Sequence, residues 1–161
     1  MITIKSRAEV AVMARAAGIV VDALRAAGQL ARPGMDTAGI DGAVRGVIER
    51  AGAQAAFLGD MGYPASSCVS LNAEIVHGIP SPRKIIAPGD LVSIDVGVEL
   101  EGYFADAAFT TSAGDGDELG ARLKACGRRI LHIHLPSPDA VRDLTRILSG
   151  GLLKPQWDTR G

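Results

Sequence analysis

The chain has 161 residues, of which 47% are hydrophobic, 22% charged and 4% aromatic. This profile is typical of one soluble globular domain that is long enough to bury a core. A formal net charge of -1, with no run of lysine or arginine, excludes an electrostatic case for binding nucleic acid or an anionic membrane.

The N-terminal segment has no apolar stretch after its charges, and no part of the chain reaches the roughly 20 apolar residues of a membrane span. We therefore expect a cytoplasmic protein. The two cysteines, Cys68 and Cys126, are far apart in sequence and fit neither a CxxC motif nor zinc-ligand spacing. The sequence thus predicts neither a disulfide framework nor a thiolate metal site.

Two helices are predicted ahead of any strand. The first begins with a capping box formed by Ser6 and Glu9, and its apolar face and closing glycine are Val10, Met13, Ala14, Ala17, Val21, Leu24 and Gly28. The second is capped by Asp36 or Thr37. Its apolar positions and closing glycine are Ile40, Val44, Val47, Ile48, Ala51 and Gly52.

From residue 53 the pattern changes to short extended stretches, at 53–57, 67–72 and 74–79, with a glycine-rich loop at 59–66. Helices that are followed by strands, without regular alternation, indicate an α+β fold.

The segment 91–111 predicts a β-hairpin, because apolar residues alternate with polar ones on both sides of a turn. A two-residue turn at Glu101 and Gly102 places Asp106 diagonally from Asp95, on one polar face and within ~7–8 Å. Glu101 is a poor residue for the positive φ of that turn. A three-residue turn with a bulge at Gly102 stays open as the alternative, and it would put the two aspartates on opposite faces.

Two carboxylates at this separation repel each other. A shared proton, a neighbouring arginine or a bound divalent metal is the usual way in which the repulsion is relieved. Oxygen ligands favour a hard or borderline ion. The alternative is that Asp95 and Asp106 are ordinary surface residues on an open sheet face.

Several motifs around the hairpin occur together and in a fixed order. They are GYPASSC, NAEIVHGIP, PGD, IDVGVELEGYFAD and AAFT. With these motifs the chain resembles the bacterial type I methionine aminopeptidases from about residue 3 to residue 113.

The resemblance implies a pita-bread α+β fold, in which two pseudo-symmetric halves hold two divalent metal ions (Co, Mn, Fe or Zn) and initiator methionine is removed from new chains. It implies that Asp95 is a bidentate ligand of one metal, that Asp106 is a bridging carboxylate, and that His77 hydrogen-bonds the substrate near its amide. It further implies a methionine pocket whose wall contains Tyr63, Cys68 and Phe57.

Two of these residues have plain alternative interpretations. Without the resemblance, His77 reads as a histidine satisfied within a turn. Cys68 reads as a small buried apolar residue, and even with the resemblance it lines a pocket and is no nucleophile.

The resemblance also implies one histidine and two glutamates as further metal ligands, well downstream, and no glutamate follows Glu118. We therefore expect residues 1–113 to form the N-terminal half of the fold and 114–161 a divergent tail, through a premature end or a shifted reading frame. Metal binding should then be weak at most.

Two features of the tail are predicted from its sequence. In a strand, His132 and His134 would face the same side and could bind a metal. A short helix is predicted with the residues Ser137, Asp139, Val141, Leu144, Leu148 and Gly150.

Two functions remain open at this stage. The first is a methionine aminopeptidase that is truncated or altered, acting on peptides with methionine first and, by resemblance, meeting them at the ribosome. The second is a pita-bread half that binds peptides without hydrolysing them.

Overall fold

A computed structural model describes residues 4–134, with side chains from residue 4 to 127. The chain divides into two compact units, of which the first ends at Asp117 and the second begins at Glu118. The helix predicted from Ser137 lies outside the described residues.

The first helix, α1 (Arg7–Leu30), begins where the sequence predicts. The Ser6 amide donates to Glu9 Oε2 at 2.6 Å and the Glu9 amide donates to Ser6 Oγ at 3.3 Å, which completes the capping box. The helix passes Gly28 and ends at Leu30. Hydrogen bonds from Ser6, and one that Tyr103 Oη donates at 2.8 Å, lower the pKa of Glu9 to about 2.

The predicted apolar face of α1 is wrong by about one position. Val10 and Val21 are 52% and 44% exposed, and the buried residues are Ala16, Val20, Ala23 and Ala27. Alanine and valine residues of α1 occur on several sides of the helix, so the spacing of apolar residues does not identify one buried face. Alanine on the buried side lets the helix approach its neighbours closely.

The second helix, α2 (Thr37–Arg50), is capped by Asp36, whose Oδ1 accepts from the Gly39 amide at 2.8 Å. Of the two predicted caps, Asp36 is therefore the one used. The buried residues of α2 are Thr37, Ile40, Val44 and Ile48. The helical spacing predicts burial of the three apolar ones.

Four strands form one antiparallel sheet: β1 (Gln54–Ala55), β2 (Ser67–Leu71), β3 (Leu91–Leu100) and β4 (Tyr103–Ser112). β4 pairs with one side of β3, and β1 and β2 share the other side. The strand predicted at 74–79 is wrong, since this segment is irregular.

The hairpin has the two-residue register. Gly97 pairs with Asp106 and Asp95 pairs with Ala108. The turn residues Glu101 and Gly102 have φ of 53° and 80°, so Glu101 adopts the positive φ for which it is poorly suited. Its carboxylate forms an ion pair with Arg15 of α1, which ties the turn to the helix.

The sheet has one buried face and one open face. Both helices pack on the buried face, which β3 supplies with the fully buried side chains Val92, Ile94, Val96 and Val98. On the opposite face β4 is exposed, and Phe104 is 61% exposed. The first unit is thus a mixed helix and sheet structure, which confirms the α+β prediction.

The second unit contains α3 (Glu118–His134). The strand predicted around His132 and His134 is therefore wrong. Positions two apart share a face of a strand but not of a helix, so the reason for expecting a metal pair there is lost. No helix among the described residues is long and apolar enough to cross a membrane.

Candidate functional site

The two hairpin aspartates lie on the open face of the sheet. Residues that pair across strands share a face, so Asp95, opposite Ala108, and Asp106, opposite Gly97, project to the same side. Asp95 is half-buried and Asp106 is exposed. The register therefore brings two carboxylates into one neighbourhood, as the sequence predicts.

Burial raises the pKa of Asp95 above its ordinary value near 3.8, and the negative charge of Asp106 raises it further. The nearby His77 and a hydrogen bond from the Val96 amide act in the opposite direction. The net shift is upward, so the ionised form of Asp95 is disfavoured in the folded chain. The pair is a place where added positive charge would be favourable.

Replacement of Asp95 by asparagine is expected to stabilise the metal-free chain at neutral pH. Because the folded pKa is raised, ionisation of Asp95 destabilises the fold; this cost is absent below the unfolded pKa and complete above the folded one. Thermal unfolding in a chelator should show a higher Tm for Asp95→Asn than for the parent at pH 7 and an equal Tm for the two near pH 3. An equal Tm at both pH values would contradict this account of the shift.

His77 reaches this face from the segment 72–80, which follows β2. It is exposed and has φ of 57°, in the left-handed region that few residues other than glycine adopt, histidine more often than most of them. The charge of His77 lowers the pKa of Asp95, so the histidine lies within electrostatic range of that carboxylate. Its role at a metal or a substrate amide stays a prediction.

Cys68 pairs with Asp95 across β2 and β3, and so lies on the same face. It is 5% exposed, and burial raises the pKa of its thiol, partly offset by a hydrogen bond with Tyr63. A buried thiol with a raised pKa is a weak nucleophile, in agreement with the interpretation that Cys68 is no nucleophile.

Tyr63 and Phe57 come from the loop before β2. Tyr63 Oη donates to the carbonyls of Ser67 at 3.1 Å and Gly78 at 3.2 Å, and burial raises its pKa. The Phe57 ring covers Gly97, where a Cβ would lie only 2.5 Å from Cε1 of the ring. All three predicted wall residues therefore border the same face.

Sequence reasoning missed two residues that build this site. Asp41 of α2 accepts, through Oδ1, from the amides of Ser66 and Ser67 at 2.9 and 2.8 Å, and it fixes the loop before β2. Ser70 of β2 accepts from the Gly78 amide at 3.0 Å. A lone aspartate in a helix and a serine in a strand give no signal, since both partners are distant in sequence.

Asp95 and Asp106, the two residues predicted as metal ligands, share one face of the sheet. Among residues 4–127 no group of three or more His, Cys, Asp or Glu side chains is arranged to bind a metal ion. Two carboxylate groups on one face are an oxygen donor set that would suit a hard or borderline divalent ion.

Residues 11–136 match the model of metallopeptidase family M24, beyond residue 113 where the motif resemblance ends. The chain is 47% identical over 117 residues to Methionine aminopeptidase 1 of Mycobacterium tuberculosis (strain CDC 1551 / Oshkosh), covering 71% of this chain and 44% of that protein. It is 40% identical over 123 residues to the methionine aminopeptidase of Clostridium acetobutylicum, covering 76% and 49%. The chain spans about half the length of these curated relatives.

Solved structures give the same result. The methionine aminopeptidase of Thermotoga maritima superposes with a TM-score of 0.82 at 36% identity, covering 86% of this chain and 56% of that one. The described helices and sheet thus have the pita-bread fold of these enzymes, as the resemblance implied. The chain belongs to metallopeptidase family M24, and its relatives there are methionine aminopeptidases.

Proposed function

We propose that this chain carries the N-terminal half of a methionine aminopeptidase site, which removes methionine from the N-terminus of new polypeptides by metal-dependent hydrolysis. In this proposal Asp95 and Asp106 are metal ligands and His77 hydrogen-bonds the substrate near the scissile amide. The methionine side chain would lie against Tyr63, Cys68 and Phe57.

One observation carries the proposal. Asp95, Asp106 and Cys68 share one sheet face, and the pKa of Asp95 is raised there by burial and by Asp106 and lowered by His77, which comes from a separate segment. A surface pair of aspartates would need none of these neighbours. The family relationship gives the arrangement its chemical meaning.

Family M24 is a metallopeptidase family, which implies divalent metal use. The residues present fit such an ion in part: two carboxylates share a face, and their mutual repulsion makes a cation favourable there. A bound divalent pair supplies Lewis acidity and an activated water. The chain's own contribution is to hold the two carboxylates, to orient the peptide through His77 and to exclude water from the methionine side chain.

An activity assay tests the proposal. Residues 1–117 would be fused to the part of the M. tuberculosis relative that follows the aligned segment, and hydrolysis of a Met-Ala peptide would be followed with Mn²⁺ or Co²⁺. We expect turnover by the chimera and none by the 161-residue polypeptide, because two carboxylates leave the second metal unanchored. Turnover by the polypeptide alone, lost on Asp106→Asn, would contradict the half-site account.

Metal binding by the 161-residue polypeptide is expected to be weak and to depend on both carboxylates. A pair of carboxylates completed by water is a loose site for a hard ion, and its affinity should fall as the carboxylates are protonated. Calorimetric titration with Mn²⁺ of the parent and of Asp95→Ala would measure this, with Asp22→Ala as an exposed control. Tight binding that Asp95→Ala leaves unchanged would place the metal elsewhere.

A second function, peptide binding without hydrolysis, is favoured by the lack of a third ligand among the described side chains. It predicts that the 161-residue polypeptide, without the added segment, binds a peptide with methionine first and does not cleave it. Calorimetric titration of the polypeptide with a Met-Ala peptide separates the two functions, because a truncated enzyme should bind this peptide only as the chimera.

The resemblance further supports a partner and a location. We propose that the substrates are nascent chains that begin with methionine, met in the cytoplasm at the ribosome. Co-sedimentation of the chain with translating ribosomes, compared with a salt wash, would test this.

A further inference from the structure

The backbone at His77 has an uncommon conformation. Its φ of 57° lies in the left-handed region, which few residues other than glycine adopt, although histidine adopts it more often than most. The segment around it, 72–80, has no helix or strand to impose that conformation. The contacts of the next residue, Gly78, therefore help to maintain this φ at His77.

Both polar atoms of the next residue, Gly78, have protein partners. Its amide donates to Ser70 Oγ at 3.0 Å. Its carbonyl accepts from the Val69 amide at 2.8 Å and from Tyr63 Oη at 3.2 Å. Ser70 is 3% exposed, so water does not compete for this bond.

The packing at Gly78 leaves no room for a side chain. A Cβ there would lie 2.5 Å from the Val69 carbonyl oxygen and 2.7 Å from Ser70 Cα, both of which are backbone atoms. Only glycine can approach the strand this closely. Ser70 of β2 therefore holds the peptide between His77 and Gly78, and the Val69 amide and Tyr63 hold the next peptide, between Gly78 and Ile79.

We propose that Ser70 is a positioning residue for His77, with Tyr63 holding the carbonyl of the next peptide, between Gly78 and Ile79. Ser70 Oγ orients the Gly78 amide, and this keeps the imidazole of His77 on the face that carries Asp95. The role of His77 toward a substrate rests on the proposed function. The effect of Ser70 on the backbone at His77 rests on the contacts given above.

Nuclear magnetic resonance on the full 161-residue chain tests this without any turnover. In Ser70→Ala the Gly78 amide should exchange with solvent about tenfold faster or more, because it loses its buried acceptor. The imidazole cross-peaks of His77, assigned with His77→Gln, should move. The Val96 amide in the middle of β3 should keep its protection, and Ser70→Thr should restore the cross-peaks.

The matched control is Ser93→Ala, since Ser93 lies on the same face but bonds to Thr110 Oγ1 at 2.8 Å. It should leave Gly78 and His77 unchanged. Tyr63→Phe should move the His77 cross-peaks too, and it decides the matter if Ser70→Ala does not fold. Unmoved cross-peaks in a folded variant, or an equal movement in Ser93→Ala, would overturn the proposal, and an inactive chimera would not affect either result.

Discussion

In the active chimera, Asp106→Asn is expected to lower kcat/KM at least about 100-fold. Loss of a residue that merely supports a metal ligand already costs about 10 to 100-fold, and Asp106 is proposed to contact the ions directly. The amide of asparagine keeps the size of the side chain but removes its charge. Initial rates on a Met-Ala peptide over a range of Mn²⁺ concentrations would measure the loss.

Asp22→Asn provides the control for this experiment. Asp22 lies on α1 with 65% of its side chain exposed, and it forms an ion pair with Arg25 one turn away. Its substitution should leave kcat/KM unchanged. Recovery of the Asp106→Asn rate at high Mn²⁺ would mean lost metal affinity, and a loss equal to that of Asp22→Asn would show that Asp106 has no role in the site.

Asp41→Ala is expected to cost about 3 kcal/mol of the free energy of unfolding. It removes one oxygen that accepts from the Ser66 and Ser67 amides and from Ser67 Oγ at 2.8 Å. Both serines are fully buried, so their amides would be left without a partner, at about 1–3 kcal/mol for each buried group. Urea unfolding followed by circular dichroism would give the value.

Asp36→Ala on the same helix is the matched comparison. It removes a cap with one bond to the Gly39 amide, so it should cost about 1 kcal/mol. Equal losses for the two variants would show that Asp41 contributes no more than a helix cap with a single hydrogen bond.

The hairpin and the helix starts could be predicted from sequence because their causes are local. Alternation along 91–111 fixes which residues share a face, and a change of register would reverse every side chain. Ser6 with Glu9, and Asp36, act on amides within three residues. The resemblance then attached roles to Asp95 and Asp106 that alternation alone could not supply.

The errors arise where distant partners decide the outcome. The segment 74–79 has the composition of a strand, but it does not pair with β2 as a strand. The Val69 amide of β2 donates to the Gly78 carbonyl without a regular ladder around this bond. The face of α1 depends on which alanines meet the sheet. Asp41 and Ser70 act across 25 and 8 residues of sequence, respectively, and no short-range pattern records such contacts.

The way in which β2 ends the sheet bears on association between chains. On the outer edge of β2 the Val69 amide donates to the Gly78 carbonyl, and the Val69 carbonyl accepts from Lys84 Nζ at 3.2 Å. The same Lys84 Nζ pairs with Glu74 at 2.8 Å. Open amides and carbonyls on an edge strand invite a strand from another molecule, and a lysine there discourages it. The segment 72–80, which carries His77, thus also covers the outer edge of β2. Substitutions that detach this segment from β2 should promote aggregation as well as impair the proposed site.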